Sequence, residues 1–188
     1  MDLKIFLGIS AGVLTVSSFI PYFSSILTGR TAPHSYTWLI WSITQSLAAV
    51  VIFHGGGGIF SSLSVGAGAL LSLVVFLASL TRGTEHIHAF DSVILIVALL
   101  ATILWWRFDH PTFSIIMVSF IDAIGFIPTY RKTLIEPRSE SLLAWTLYLV
   151  GNICALLALT HYNLLTILYI ATMIGASSIL IALILLKR

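Results

Sequence analysis

Long apolar runs, separated by short polar or glycine-rich stretches, follow one another from end to end of this chain. The runs are continuous rather than alternating, and each is close to the about 20 residues that a helix needs to cross a bilayer. This pattern indicates transmembrane helices rather than the strands of a barrel. Seven helices are predicted, at residues 3–27, 35–53, 59–80, 90–106, 112–134, 142–160 and 164–186.

Composition strengthens this prediction. Of the 188 residues, 59% are hydrophobic and only 9% are charged, whereas soluble domains carry about 25% charged residues. So few charges cannot cover a surface that faces water. We therefore expect an integral, multi-pass membrane protein whose surface contacts lipid. The net charge of +2 is too small to indicate nucleic-acid binding, and a single cysteine, Cys154, excludes an intrachain disulfide.

Basic residues predict the orientation, because loops rich in lysine and arginine stay in the cytoplasm. One side of the predicted bundle carries seven basic residues and the other carries two. The N-terminus is therefore expected outside and the C-terminus in the cytoplasm. The basic side comprises Arg30, Arg82, Arg131, Lys132, Arg138, Lys187 and Arg188, and the other side carries Lys4 and Arg107.

The first three helices match the last three at a constant offset of 107 residues. Proline, tryptophan and histidine are scarce here, so their shared register is more informative than matches between leucines. The matches are Phe19-Ile20-Pro21 with Phe126-Ile127-Pro128, Trp38 with Trp145, Trp41 with Tyr148, Gln45 with Asn152, His54 with His161 and Gly68 with Gly175.

The fourth helix has no partner in this repeat. A single helix between two three-helix repeats makes them parallel, related by an axis along the membrane normal. The predicted fold is an all-α membrane protein with seven transmembrane helices, arranged as two parallel three-helix bundles joined by a linker helix. Residues 1–80 form the first repeat, 81–111 the linker helix with its flanking loops, and 112–188 the second repeat.

A proline deep in the first helix of each repeat, Pro21 or Pro128, is followed by a short basic loop and then by a serine and a helix with tryptophan. With Gly151-Asn152-Ile153-Cys154 in the sixth helix, this arrangement resembles the SWEET and PQ-loop superfamily of transporters. The resemblance covers nearly the whole chain. Tyr22 and Thr129 stand where that superfamily has a glutamine after the proline. The resemblance implies transport of a small solute by alternating access.

Asp122 is the one acidic residue deep inside a predicted helix. A charge at the bilayer centre costs about 2.5–3.5 kcal/mol on insertion scales, so such residues usually face the bundle interior or a wet cavity. Ser119 lies one turn before Asp122 on the same helix face. Thr15 is the residue of the first repeat that corresponds to Asp122, so the acid is present in only one half. It is expected either to handle a proton or cation, or to be a structural acid bonded to a neighbouring helix.

A second polar stripe lies on helices two and six. Trp41 and Gln45 share one helix face, as do Tyr148 and Asn152. The two amides need hydrogen-bond partners in hydrocarbon, and with aromatic walls they are candidates for a substrate pocket between the repeats. Lying closer to the predicted cytoplasmic surface, Trp38 and Trp145 are either pocket residues or members of an interfacial belt.

Pro21 and Pro128 each free a backbone carbonyl one turn earlier, so we expect a hinge in both repeats. The polar residues around the linker helix include plausible metal ligands, but loop polarity explains them, and no metal or cofactor is expected. They are Glu85, His86, His88 and Asp91.

The leading hypothesis is a small-solute transporter in which Thr15, Gln45, Ser119 and Asn152 supply polar contacts and Asp122 couples transport to a proton. The alternative is a membrane receptor or sorting protein that binds a ligand without moving it. An enzyme is not expected, because no nucleophile–base pair and no complete metal motif is present. The sequence names no substrate and leaves a homo-oligomer open.

Overall fold

The computed structural model describes residues 3–83, 87–107 and 111–187, with side chains throughout except at 101–107 and 111. The described residues form seven α-helices and one short 3-10 helix. The α-helices are α1 (Leu3–Leu27), α2 (Ser35–His54), α3 (Ile59–Arg82), α4 (Ala89–Arg107), α5 (Pro111–Ile135), α6 (Leu142–Leu157) and α7 (Leu164–Lys187), and the 3-10 helix spans Pro137–Ser139 between α5 and α6.

Helix ends follow the local signals of the sequence. Ser141 caps α6 by accepting a hydrogen bond from the backbone N–H of Ala144. Gly56 and Gly58 adopt positive φ in the turn between α2 and α3, a conformation that other residues rarely adopt. The one clear difference from the predicted bounds is α6. It ends at Leu157 rather than at residue 160, because the chain turns there to contact the α2–α3 turn.

Five of the helices in the described part of the chain are long and apolar enough to cross a membrane: α1, α2, α3, α5 and α7. Large apolar side chains such as Leu70 and Leu186 lie exposed on the outside of the bundle. A soluble protein would pay a large hydrophobic cost for such a surface. The all-α architecture and the apolar surface are thus those of a membrane protein, as expected.

The helices pack in a connected set of neighbours. Within the first half, α3 packs against both α1 and α2, and within the second half α7 packs against both α5 and α6. The halves meet where α1 packs against α6 and α2 against α5, while α4 lies against α5 and α2. Pro21 lies inside α1 and Pro128 inside α5, and each helix continues past its proline.

Candidate functional site

An aromatic cluster fills the middle of the bundle where the two halves meet. Trp38 and Trp41 of α2 lie with ring centroids 5.0 Å apart, and both face Trp145 of α6. The ring of Trp41 lies 4.5 Å from that of Phe126 on α5. Trp38 and Trp145 are each 5% exposed. They are therefore buried cluster members, and their alternative interpretation as interfacial belt residues is wrong.

These rings surround a pocket whose free volume in this conformation is about 30 Å³, room for only a water molecule or two. Three of the predicted substrate-binding residues, Trp41, Gln45 and Tyr148, lie in its wall. Most of the lining is aromatic and comes from α1, α2, α5 and α6, with one residue from α3. The wall consists of Ser18, Phe19, Tyr22, Trp38, Trp41, Gln45, Ser72, Phe126, Ala144, Trp145 and Tyr148.

A smaller, more polar cavity adjoins this pocket and shares Gln45 and Tyr148 with it. The predicted residues Thr15 and Asn152 line it, together with Tyr169 of α7. The other lining residues are Ser64 and Val65 of α3. Five predicted residues therefore come together around two adjacent cavities: Thr15, Trp41, Gln45, Tyr148 and Asn152.

Both predicted amides have hydrogen-bond partners. The Nε2 of Gln45 donates to the Oγ of Ser72 over 3.1 Å, and the Nδ2 of Asn152 donates to the backbone oxygen of Tyr148 over 2.9 Å. Gly68 lies so close to the Oε1 of Gln45 that a Cβ at this position would collide with it. The glycine thus allows α3 to approach the amide.

Asp122 is fully buried beside the cavities rather than in their walls. Its carboxyl group accepts hydrogen bonds from the hydroxyl of Thr44 on α2 and from the hydroxyl of Tyr169 on α7, the latter over 2.9 Å. Its backbone oxygen accepts a bond of 3.4 Å from the indole Nε1 of Trp41. None of the ion pairs in the described part of the chain involves Asp122. The acid therefore links three helices and contacts one cavity through Tyr169.

Ser119 does not reach either cavity. Its side chain is buried, and its Oγ has no hydrogen-bond partner within the described part of the chain. A buried hydroxyl without a partner costs about 1–3 kcal/mol. The helical spacing places Ser119 on the face of Asp122, but that spacing does not decide whether a cavity opens there.

The Lys4 end of the bundle is held by contacts across the two halves. The Nζ of Lys4 donates to the backbone oxygen of Leu159 over 2.7 Å. The backbone N–H of Thr160 donates to the oxygen of Gly57, and the Nδ2 of Asn163 donates to the oxygen of Gly55 over 2.9 Å. The α2–α3 turn and the α6–α7 turn are therefore joined to each other at this end of the bundle.

The opposite end, which we call the basic end, carries residues 28–34 and 136–141 and holds two ion pairs. Lys132 lies 2.6 Å from the carboxylate of Glu140 and also donates to the backbone oxygen of Ala32 in the first half. The other Glu140 oxygen accepts a 2.9 Å bond from the indole Nε1 of Trp145. Through Lys132, Glu140 therefore connects Trp145 in the pocket wall to the loop between α1 and α2.

The second ion pair joins α4 to both halves. Asp91 accepts a 2.6 Å bond from Arg131 of α5, and its carboxylate lies 3.2 Å from the Nε2 of His34. Burial lowers the pKa of the His34 imidazole, and the neighbouring Asp91 opposes this only in part. Among the described residues, no group of three or more metal-ligating side chains comes together. Glu85 and His86 of the predicted polar loop lie outside the described residues.

Sequence reasoning missed several residues of this site. Thr44 and Tyr169 hold Asp122, and Glu140, paired with Lys132, holds the pocket residue Trp145. Only the scarcity of buried acids signalled that Asp122 needed partners. Nothing in the sequence indicated which residues these are, since they lie 78 and 47 positions away.

No family model, curated protein or solved structure matches this chain. The resemblance to the SWEET and PQ-loop superfamily rests on the residues quoted above and stays a hypothesis.

Proposed function

We propose that the chain is an integral membrane transporter for a small solute, working by alternating access between two three-helix units. The units are α1–α3 and α5–α7, with α4 as the linker. The observation that carries the proposal is the central aromatic pocket, which lies where the units meet and takes its wall from both. A site between two units is open to either side of the membrane in turn when the units rock against each other.

The helix contacts support two parallel repeats. The pairs α1 with α3 and α2 with α3 in the first unit have the counterparts α5 with α7 and α6 with α7 in the second. The contact of α1 with α6 becomes, on exchange of the units, the contact of α5 with α2, which is also present. In the pocket wall, Phe19, Trp38 and Trp41 have the counterparts Phe126, Trp145 and Tyr148.

The contacts that join the units also support alternating access. They lie at both ends of the bundle, with Lys4 and the two turns at one end and Lys132 with Ala32 at the other. Opening either end requires one set to break while the other holds. The prolines Pro21 and Pro128, at equivalent positions of α1 and α5, would be the hinges.

Asp122 would couple this movement to a proton. Its carboxyl accepts bonds from α2 in the first unit and from α7 in the second, so rocking of the units changes its surroundings. A proton can shift the balance between the two open states only if they differ in their affinity for it. The basic residues of one end predict that this end faces the cytoplasm and that the N-terminus lies outside.

Cysteine labelling tests alternating access without a known substrate. Cys154 is the native cysteine, so Cys154→Ala provides the background, and Ser72→Cys places a thiol in the pocket. The protein is reconstituted in liposomes, and a membrane-impermeant thiol reagent is added outside or loaded inside. Val74→Cys, on the exposed face of α3, is the control that lipid should protect from either side.

We expect Ser72→Cys to react with the reagent from both sides. Reaction from one side alone would favour the alternative of a receptor that binds its ligand without transport. A pocket that reacts from neither side, in protein shown to be folded by its thermal melting, overturns the proposal.

A further inference from the structure

The chemistry of the central pocket points to the class of solute it takes. We infer that the pocket binds a small organic monocation of weak hydration, such as a quaternary ammonium or an N-alkylpyridinium ion, rather than a sugar. This inference rests on the proposed function in one respect, since it takes the pocket to be the ligand site. It does not require that the bound ligand be moved.

Aromatic rings supply most of the wall. Seven of the eleven lining residues are phenylalanine, tyrosine or tryptophan, and they come from both halves of the molecule. Trp41 stands edge to face against Trp38 and against Trp145, with interplanar angles of 82° and 76°. Rings at such angles present a face to the space between them. That space, about 30 Å³ in this conformation, must widen before an ion of this size enters. A cation over an aromatic face gains about 0.5–2 kcal/mol, and tryptophan is the best partner.

The charges around the pocket favour a cation. None of the described residues that line it is charged, so no lysine or arginine repels a cation there. One buried carboxylate stands directly behind the wall, since Glu140 accepts the indole N–H of Trp145 through one oxygen while Lys132 pairs with the other. A second buried carboxyl group, that of Asp122, contacts Tyr169 in the wall of the adjoining cavity. A carboxylate that accepts an indole N–H adds electron density to the ring and strengthens its attraction for a cation.

The polar groups of the wall argue against a sugar. Ser18 already donates to the backbone oxygen of Thr15, and Gln45 already donates to Ser72. The indole nitrogens of Trp41 and Trp145 also have acceptors. A sugar would bring several hydroxyls into a wall with few free partners, and each unsatisfied hydroxyl costs about 1–3 kcal/mol. A quaternary ammonium or pyridinium centre carries no hydroxyl or N–H that needs a partner, and it loses less hydration on entry than an ammonium ion does.

A matched pair of probes tests the inference. Choline and its neutral isostere 3,3-dimethyl-1-butanol have the same shape and differ in charge. The full chain in lipid nanodiscs is titrated with each of them, with N-methylpyridinium and with glucose, and binding is followed by calorimetry and by thermal shift. We expect choline and N-methylpyridinium to bind at least about tenfold more tightly than the neutral isostere.

Variants identify the site. Trp41→Phe keeps a ring but weakens its attraction for a cation, so choline affinity should fall about threefold to tenfold while binding of the isostere stays within about twofold. Glu140→Gln should weaken choline binding in the same selective way. The control is Phe53→Leu, which removes an exposed ring of α2 and should change neither affinity. Equal losses for choline and the isostere would mean that the ring acts by shape alone, and would overturn the inference.

Other outcomes separate this inference from the proposed function. The inference is wrong if the isostere or glucose binds as tightly as choline, or if folded protein binds neither cation at millimolar concentration. Cysteine labelling of the pocket from both sides would still support transport in either case. If choline binds saturably but radiolabelled choline does not enter proteoliposomes, the inferred class of ligand is supported and the proposal that the protein transports it is wrong.

Discussion

The two halves of the molecule use different chemistry at equivalent positions. Thr15 in α1 and Asp122 in α5 are 107 residues apart and are both buried, at 4% and 0% exposed. The Oγ1 of Thr15 lies 3.1 Å from the Oγ of Ser64 on α3, which is a bond between neutral groups. Asp122 instead accepts from two hydroxyls on two helices. The first half therefore has a neutral site, and the second has a carboxyl group whose charge a proton can change.

The same contrast recurs at the basic end. In the first half, Ser25 donates to Thr31 over 2.8 Å and so holds the chain between α1 and α2. The counterpart of Ser25 in the second half is Lys132, which makes the ion pair with Glu140. Hydroxyl contacts in one half thus stand where charged groups stand in the other. An exact repeat would have no such difference, so we expect any proton dependence of the proposed function to lie in the charged half.

The largest expected effect comes from Asp122→Asn, which keeps the size of the side chain and removes its proton chemistry. Uptake of a transported solute into proteoliposomes should lose its response to an imposed pH gradient, by tenfold or more if the proton drives the cycle. Thr15→Val, at the equivalent position, should leave that response intact. If Asp122→Asn still responds to pH as the parent does, proton coupling through this residue is wrong.

Next in size is the loss of the buried ion pair. Lys132→Met leaves Glu140 without its cation, and breaking one side of a buried pair costs about 3–5 kcal/mol. Ser25→Ala, at the equivalent position, removes two bonds between neutral groups, to Thr31 and to the backbone oxygen of Tyr22, and should cost about 0.5–1.5 kcal/mol for each. The comparison is made by denaturant unfolding in detergent. Equal losses for the two variants would show that the charge of the second half adds nothing to its stability.

A smaller difference in stability is expected between variants that remove the hydroxyl partner of Asp122 and variants that remove the hydroxyl partner of Thr15. Tyr169→Phe removes a donor to a carboxyl group, for which we expect about 1.5–3 kcal/mol. Ser64→Ala removes the neutral partner of Thr15 and should cost about 0.5–1.5 kcal/mol. Unfolding is measured with Asp122 ionised, at alkaline pH, where the contrast should be greatest. A larger loss for Ser64→Ala than for Tyr169→Phe would contradict the assignment of the charged site.

The smallest expected effect concerns pH. His34 precedes α2 without capping it through its side chain, whereas Ser141, its counterpart, caps α6. Because burial lowers the pKa of His34 in the folded state, the unfolded chain binds a proton more readily, and stability falls as pH drops below about 6.5. His34→Gln should therefore show a smaller drop in melting temperature between pH 7.5 and pH 5 than the parent. Ser141→Ala should lower the melting temperature equally at both pH values.

Much of the fold follows from the sequence alone. The lengths of the apolar runs match the helices to within two residues at most ends, because a bilayer fixes the length of a crossing helix and glycine, proline and polar residues mark where it stops. The offset of 107 residues also pointed to the pocket. Trp41, Gln45 and Tyr148 all line it, since periodicity determines which residues share a helix face.

Tertiary structure alone decided which side chains meet. The partners of Asp122 come from α2 and α7, and periodicity within one helix carries no information about the neighbouring helix. For the same reason the sequence did not distinguish Ser119, which lines neither cavity, from Thr15, which lines the smaller one. The sequence also did not decide whether Trp38 and Trp145 face the pocket or the membrane interface, because an aromatic side chain is favourable in both places. Packing of the two halves against each other places these rings, and with them the pocket, at the centre of the bundle.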